Sequence, residues 1–579
     1  MTHTNHEGAN PPDPSLFKST DELRAFVSPT NVSPTKANGP IPTNSWWGNL
    51  LSNNASGNLD PVYPSPYAVF INKVDASIAC SYLFESMHKG PLNENGAISY
   101  YYFPKISNLI FTSSDMNAKF EVEDWDDLTV QIALKNGESY LRTVLALGQA
   151  FMTIEHYNLP IRLSSENGIE SVNGMPVVGN AEFQGTQLGS DSGKLVVGLN
   201  NGQKWFIWWS GVSSSSMDFV YDKINKILKT QGKFCGVVQA AVFHSDDQLS
   251  TFEKYAGSYV NRGVVRCNDC HGFEYMWQIK RIGTVTSPAL HFAMEHHRHI
   301  LTIDSKMVPL ILHSHTRGPM QAYTIEASQD LWRFQFPHSE EVELASCSQF
   351  HCPRDPKPDD IKDFHVVDVL MEEVLSPWSL PNSYYFKGKA LQKYGTMCLL
   401  SAKLSSLDDA PILVDLAATA LKKFKALLDD VGSNSCDYPL VYDEVYKGVI
   451  TSEAFAKHDI NVEFGNAVYN DHHYHYGYFI TATSIAYYLD PSYMHTNVKL
   501  FEWISTLVRD VLNSSSNDEF FPRFRHFDWF LGHSYSHGVT CVVDGKDEES
   551  TSEEINCLYG CNLWAQVTEN TKYELPLLL

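Results

Sequence analysis

Residues 412–431 read ILVDLAATALKKFKALLDDV, and this stretch decides how the C-terminal part of the chain folds. Leu413, Leu416, Ala420, Phe424 and Leu427 recur at three- and four-residue intervals, while Asp415, Lys422 and Lys425 fall between them. That period places the apolar residues on one face of an amphipathic helix, where they are core rather than ligand contacts. Moving outward, the same helical period governs 389–404 (KALQKYGTMCLLSAKL), 476–490 (YGYFITATSIAYYLD) and 500–512 (LFEWISTLVRDVL), with Gly, Pro, Asn and Ser breaks between. From about residue 385 onward the pattern predicts paired helices, a toroid or bundle.

Towards the N-terminus the period changes. Between about 45 and 265 the chain shows short alternating or β-branched runs, among them YAVFINKV (67–74), DLTVQIAL (127–134), KLVVGL (194–199), QKWFIWWS (203–210) and VVQAAVF (237–243), cut by Asn, Gly, Ser and Asp turns. Such spacing predicts a large antiparallel β-sandwich. Near Tyr275 strand and helix signals mix, which predicts a connecting α/β region up to about Pro381, with 351–364 (HCPRDPKPDDIKDF) as a surface loop in it. The expected layout is an N-terminal extension over 1–38, a β-sandwich domain over 39–270, a connecting α/β domain over 271–384 and a helical domain over 385–579.

A formal charge of −24 on 579 residues argues against polyanionic partners, because phosphate binding relies on Lys and Arg releasing counterions. Nucleic acid is therefore not expected. A neutral glycan meets no such penalty, and the high aromatic share of 12% suits stacking on sugar rings. No apolar run reaches spanning length, so membrane insertion is not expected, and the start MTHTNHEGANPPDPSLF lacks the basic and apolar regions of a secretory signal. Eleven scattered cysteines do not form the framework of a small secreted domain. Cys267, Cys270 and His271 spell CNDCH, the attachment pattern of c-type haem, but the ordinary reading is a polar loop with two cysteines, and no cofactor is expected. Asn54 and Asn513 lie in glycosylation sequons.

Chemistry concentrates late in the chain. Residues 465–478, GNAVYNDHHYHYGY, run into an apolar helix, and Asp471 and His475 are four apart, hence on one face of a helix. The bland alternative is an N-capping Asp471 followed by solvated imidazoles. His472, His473 and His475 lack the second ligand cluster that a zinc site normally adds, so no metal is expected. Downstream, 521–538 (FPRFRHFDWFLGHSYSHG) gathers Arg523, Arg525, Asp528, Trp529, His533 and His537, and 544–556 (DGKDEESTSEEIN) places Glu549 and Glu553 four apart at another helix start. Ser550 or Ser552 with a glutamate reads equally as a capping box. Two carboxylates on two helix starts match the needs of glycosidic cleavage, in which one acid protonates the leaving oxygen and a second carboxylate attacks or activates water.

At these residues the chain resembles the glycoside hydrolase family 81 endo-β-1,3-glucanases. The likeness begins with GPIPTNSWWGNL (39–50) and PSPYAVF (64–70), continues through SYYFKGKALQKYG and VYDEVYKGVI, and is most specific in YNDHHYHYGYFI, FDWFLGHSYSHGV and DGKDEESTSEEIN. The resemblance implies a β-sandwich, a small connecting domain and an (α/α)6 barrel that cleaves internal β-1,3-glucosidic bonds with inversion, acting as a monomer without a cofactor. It implies Asp471 as general acid, Glu553 as general base with Glu549 as alternative or essential neighbour, and His475 in the same group. It further implies Asp528, His533, Tyr442, Asp443, Tyr474 and Trp529 for shaping the cleft and holding a β-1,3-glucan. The tail VTENTKYELPLLL does not resemble the family, so an incomplete barrel is expected, and with it a rival reading as a glucan-binding or sensing protein with little or no hydrolysis. The location is open between the exterior or cell wall, where such a glucan is met, and the cytoplasm.

Overall fold

The computed structural model describes residues 14–113, 118–269, 272–302, 306–326, 330–336, 349–351, 354–407 and 410–569. Two antiparallel sheets dominate the first half. A ten-stranded sheet runs in the order Met175–Pro176, Ile169–Val172, Ser192–Leu199, Lys204–Ser213, Phe234–Phe243, Met152–Leu159, Ser139–Ala146, Thr129–Asn136 and Lys119–Trp125, with Thr186–Gln187 paired beside Ser192–Leu199. At its centre Phe206 pairs with Ala241 and Trp208 with Gln239, and Trp205 through Trp209 are all buried. Burial of five successive residues means that both faces of this strand are covered. A seven-stranded sheet, from Glu182–Gln184 to Ala68–Asn72, adds Phe111, Leu163 and Leu228 to the hydrophobic cluster that holds Ile154, Phe206 and Val238 of the larger sheet.

The segment expected as α/β holds both strands and short helices, the first helix being Glu295–Ile300. Ser258–Asp269, Gly272–Arg281 and Leu331–Gln335 form one three-stranded sheet, and Ala289–Ala293, Gly318–Ile325 and Met307–Ser314 another. The junction expected between 270 and 271 falls inside the Ser258–Asp269/Gly272–Arg281 hairpin, because its Asn, Asp and Gly turn residues look like linker in sequence. Cys267 is a half-buried free thiol, whereas Cys270 and His271 lie outside the described residues. The expected surface loop at 351–364 is partly helical, with Pro358–Asp363 followed by Val366–Leu375. Pro358 at the first helical position and acids in the first turn are a helix start.

Five longer helices follow: α1 (Tyr384–Leu407), α2 (Pro411–Gly432), α3 (His472–Leu489), α4 (Val498–Leu512) and α5 (Thr551–Thr568). In α2, Leu413, Leu416, Ala420 and Phe424 are buried as the period predicts, while the last turn buries Leu428 rather than Leu427, and the five buried residues share a cluster with Leu391, Phe479, Ile480, Trp503 and Trp564 of the other four helices. The α3/α5 pair is parallel: Tyr474 meets Ser550, Tyr478 meets Glu553, and Thr481 meets Gly560. Glycine makes that crossing close, since a Cβ on Gly477 would lie 2.7 Å from Cys557 Cα, and one on Gly560 would lie 2.2 Å from Thr481 Oγ1. The N-termini of α3 and α5 therefore lie side by side, and their positive dipole ends favour carboxylates there.

The segment before residue 39 is stitched to the rest. Ser19–Thr20 pairs in parallel with Tyr442 and Asp443. Further on, Asn44 Nδ2 donates to the carbonyls of Tyr469 at 2.9 Å and Tyr535 at 3.2 Å. Among the described residues no helix is long and apolar enough to cross a membrane.

Candidate active site

Asp471 stands at the N-cap of α3 with left-handed backbone angles, φ 57° and ψ 22°, and its side chain caps nothing. Its backbone is fixed from both sides: its N–H donates to Ser536 O at 2.9 Å, and its carbonyl accepts from His475 N at 2.9 Å. Oδ1 is buried without a hydrogen-bond partner. Burial, helped by the nearby charge of Glu549, raises the carboxyl to about 7, with His537 opposing and Glu553 and Asp547 adding to the rise. The capping alternative for Asp471 is therefore not what the side chain does, and a carboxyl tuned in this way can carry a proton near neutral pH.

Ser550 does cap α5, its Oγ accepting from Glu553 N at 3.4 Å. Glu553 does not answer as a capping box would. Its Oε1 accepts from Tyr385 at 2.6 Å and Tyr478 at 2.7 Å, with Lys389 Nζ at 3.1 Å. Burial works against charge on Glu553, but these three donors outweigh it and hold the carboxyl below its ordinary range. Glu549 lies one turn earlier, its N–H donating to Ser536 Oγ at 2.8 Å. Ser536 Oγ in turn lies 2.8 Å from the Tyr474 hydroxyl, which accepts from Ser550 N at 2.9 Å. One serine thus ties the backbones of Asp471 and Glu549 to Tyr474.

An open cleft of about 330 Å³ is lined by Asn461, Phe464, Gly465, Asn470, Asp471, Ser536, His537 and Glu549. Glu553 is not among its lining residues. His537 pairs with Asp547, which raises the imidazole above its ordinary value. His473 and His475 are buried beneath, and burial drives both down to about 3. His475 lies 5.0 Å from the Tyr385 ring, so it is a neutral packing partner under the cleft rather than a solvated imidazole. His472, Asp510 and His526 bring potential ligand atoms together, but His472 is already committed to Asp510 at 2.6 Å and to Asn466 O at 2.8 Å. The Arg525 guanidinium sits 3.3 Å from Asp510, so a cation already fills the role a metal would take.

The remaining expected residues do not converge on the cleft. Tyr442, Asp443 and Trp529 are buried, which corrects their reading as glucan contacts. Tyr442 donates to Phe520 O at 2.6 Å. Asp443 accepts from Tyr446 N at 2.9 Å and from Tyr469 at 2.7 Å. Trp529 packs on Phe273 and Phe527, with its carbonyl accepting from Tyr275 at 2.6 Å. Asp528 lines a separate cavity of about 290 Å³ with Trp46, Trp47 and Trp125. Its carboxylate accepts from Phe530 N at 2.8 Å and from Tyr535 at 2.8 Å, so it shapes a turn. His533 is buried against Arg317 at 2.5 Å. Tyr385, Tyr478, Lys389, Ser536 and Phe464 escaped the sequence reading, and only the polar density around them hints at a role.

The profile of the glycosyl hydrolase family 81 N-terminal domain matches residues 27–340, and that of the C-terminal domain matches 360–575. The chain belongs to glycosyl hydrolase family 81. Among curated family members, a Schizosaccharomyces pombe protein named primary septum glucan endo-1,3-beta-D-glucosidase is 28% identical over 576 residues, covering 95% of this chain and 52% of its own length. Glucan endo-1,3-beta-D-glucosidase 2 of Saccharomyces cerevisiae is 27% identical, over 96% of this chain and 70% of its own. The chain thus spans about half the length of the first relative. A solved glycoside hydrolase family 81 structure from Clostridium thermocellum, in a point-mutant form, superposes with a TM-score of 0.71 at 17% identity, covering 99% of this chain and 71% of that one. At that identity the likeness speaks for the mixed β and α fold.

Proposed function

We propose that this family 81 chain is an endo-acting β-1,3-glucanase that inverts the anomeric centre. The observation that carries the reading is the shared cleft of Asp471 and Glu549, in which one carboxyl is raised to about 7 and a second acidic residue lines the same cleft. Asp471 donates its proton to the glycosidic oxygen as the bond breaks. Glu549 takes a proton from a water that attacks the anomeric carbon from the other face, which requires a separation of roughly 6.5–9.5 Å between the two carboxyl groups. Glu549 is preferred to Glu553 as base because Glu553 Oε1 is occupied by two phenols and an ammonium. Glu553 then acts as a fixed anion whose charge helps keep the proton on Asp471. The names of the two fungal relatives support β-1,3-glucan as substrate. In this reading a β-sandwich and a connecting domain precede the helices from 385, which belong to an (α/α)6 barrel.

Incubating the purified chain with laminarin and following reducing ends and optical rotation tests the proposal. Release of α-configured internal fragments is expected. Tight binding with no product would overturn it.

A further inference from the structure

Three consecutive residues at the cleft rim take left-handed backbone angles: Glu463 (φ 51°, ψ 39°), Phe464 (φ 59°, ψ 25°) and Gly465 (φ 82°, ψ 23°). Glycine adopts that region freely, but for a bulky residue such as phenylalanine it is a genuine outlier. Backbone strain of this kind persists only where the surroundings enforce it, and it clusters at ligand clamps. Here the surroundings do so. Glu463 accepts from Ser383 Oγ at 3.1 Å and Tyr385 N at 3.4 Å. Asn470 reaches back to Phe464 O at 3.4 Å and to Gly465 O at 3.2 Å.

What the strained turn achieves is the display of an aromatic ring. Phe464 is 54% exposed although it lines the same cleft as Asp471 and Glu549. Tyr385 and His475 support it edge-on, at 5.2 and 5.9 Å between centroids and at 67° and 87° between planes. Phe386 adds a third such contact, at 6.2 Å and 70°, and a ring fixed by neighbours in this way yet more than half exposed is suited to stack on the C–H face of a sugar. The acidic neighbours disfavour an anionic ligand, and a neutral sugar meets no such penalty.

The geometry points to Phe464 as the stacking platform that binds a glucosyl unit next to the cleavage position. This inference rests on the glucanase reading above and names a residue that sets its substrate affinity. Phe464→Asn keeps the turn, because asparagine tolerates left-handed angles, while removing the ring; Phe464→Tyr keeps the ring. With laminarin as the probe, the Asn variant is expected to raise KM about 3- to 10-fold with kcat little changed. The Tyr variant should recover most of that loss, and the Asn variant should melt no lower than the unmodified chain. An active unmodified chain whose Asn variant keeps its KM, or an Asn variant that melts lower, overturns the platform alone. An unmodified chain that hydrolyses nothing overturns the glucanase reading on which it rests.

Discussion

The hydroxyl of Tyr385 donates to Glu553 Oε1 at 2.6 Å, and Tyr478 donates to the same oxygen at 2.7 Å. Two phenols from α1 and α3 thus converge on one atom of α5, so Glu553 is held as an anion at a fixed place. Replacing both with Phe removes the donors that offset its burial, and the Glu553 carboxyl rises. A carboxyl discharged over more of the pH range repels the Asp471 anion less, so Asp471 holds its proton less firmly. The double variant is expected to show an alkaline limb of kcat/KM displaced to lower pH, together with a kcat lower by about tenfold or more. An unmoved limb would detach Glu553 from the reaction.

Asp471 titrates near 7 in the folded chain, against an ordinary value of 3.8. As an acid it acts while protonated, so activity should fall as pH rises through about 7. Asp471→Asn should cut kcat by about 10²- to 10⁴-fold while leaving laminarin binding intact. The stability effect has the opposite sign. A raised folded value contributes stability that is complete below the unfolded value and is lost as pH rises through the folded one. The Asn variant should therefore gain stability over the unmodified chain between about pH 4 and 7, reaching roughly 2–4 kcal/mol above that. Guanidinium unfolding at pH 4 and pH 8 measures the gap.

His473 and His475 are buried neutral and titrate near 3 in the folded chain. With folded values depressed from 6.5, the unfolded chain takes up protons first as pH falls. Their contribution is complete above 6.5 and is lost progressively down to about 3. Between pH 6.5 and 5 each ring should cost about 2 kcal/mol of stability. In urea unfolding, His473→Phe is expected to flatten the slope by one imidazole's share, since burial also holds His156, His291, His297, His315 and His526 below the ordinary value.

Asn44 binds the carbonyls of Tyr469, Tyr535 and, at 3.4 Å, Ser536, and Ser536 O also accepts from Asp471 N. Asn44→Ala leaves those buried carbonyls short of a donor, which should cost about 1–3 kcal/mol and lower kcat through looser placement of Asp471. A chain that melts lower but retains full kcat would confine Asn44 to architecture.

Much of this was legible in sequence. The spans of α1, α2 and α4 follow from apolar period alone, and the polar density of 465–478 and 544–556 marked two helix starts that do lie together. The failures have physical causes. Tyr442, Asp443 and Trp529 sit in motif-rich runs, but a polar or aromatic residue near a site is as often its scaffold, and periodicity does not say which face looks inward when all neighbours are buried. Tyr385 and Lys389 reach Glu553 from α1, far away in the chain, and no local spacing announces a contact of that range. The hairpin across 270 was missed because turn residues within a sheet and linker residues between domains have the same composition.

Gly477 is the residue on which the side-by-side placement of the two helix starts depends most directly. A Cβ there would lie 2.7 Å from the backbone of Cys557, so Gly477→Ala cannot be absorbed by rotating a side chain. α3 and α5 must part by several tenths of an ångström, displacing Asp471 relative to Glu549. Overpacking of this kind typically costs about 1–3 kcal/mol, partly offset by the better helix propensity of alanine. Catalysis should suffer more than folding, since small misplacement of acid and base is amplified in rate, to about 10²-fold for 1 Å. The expected result is a modest fall in melting temperature with kcat on laminarin reduced at least tenfold and KM changed far less. If kcat is retained, the helix crossing does not set the distance between the carboxylates.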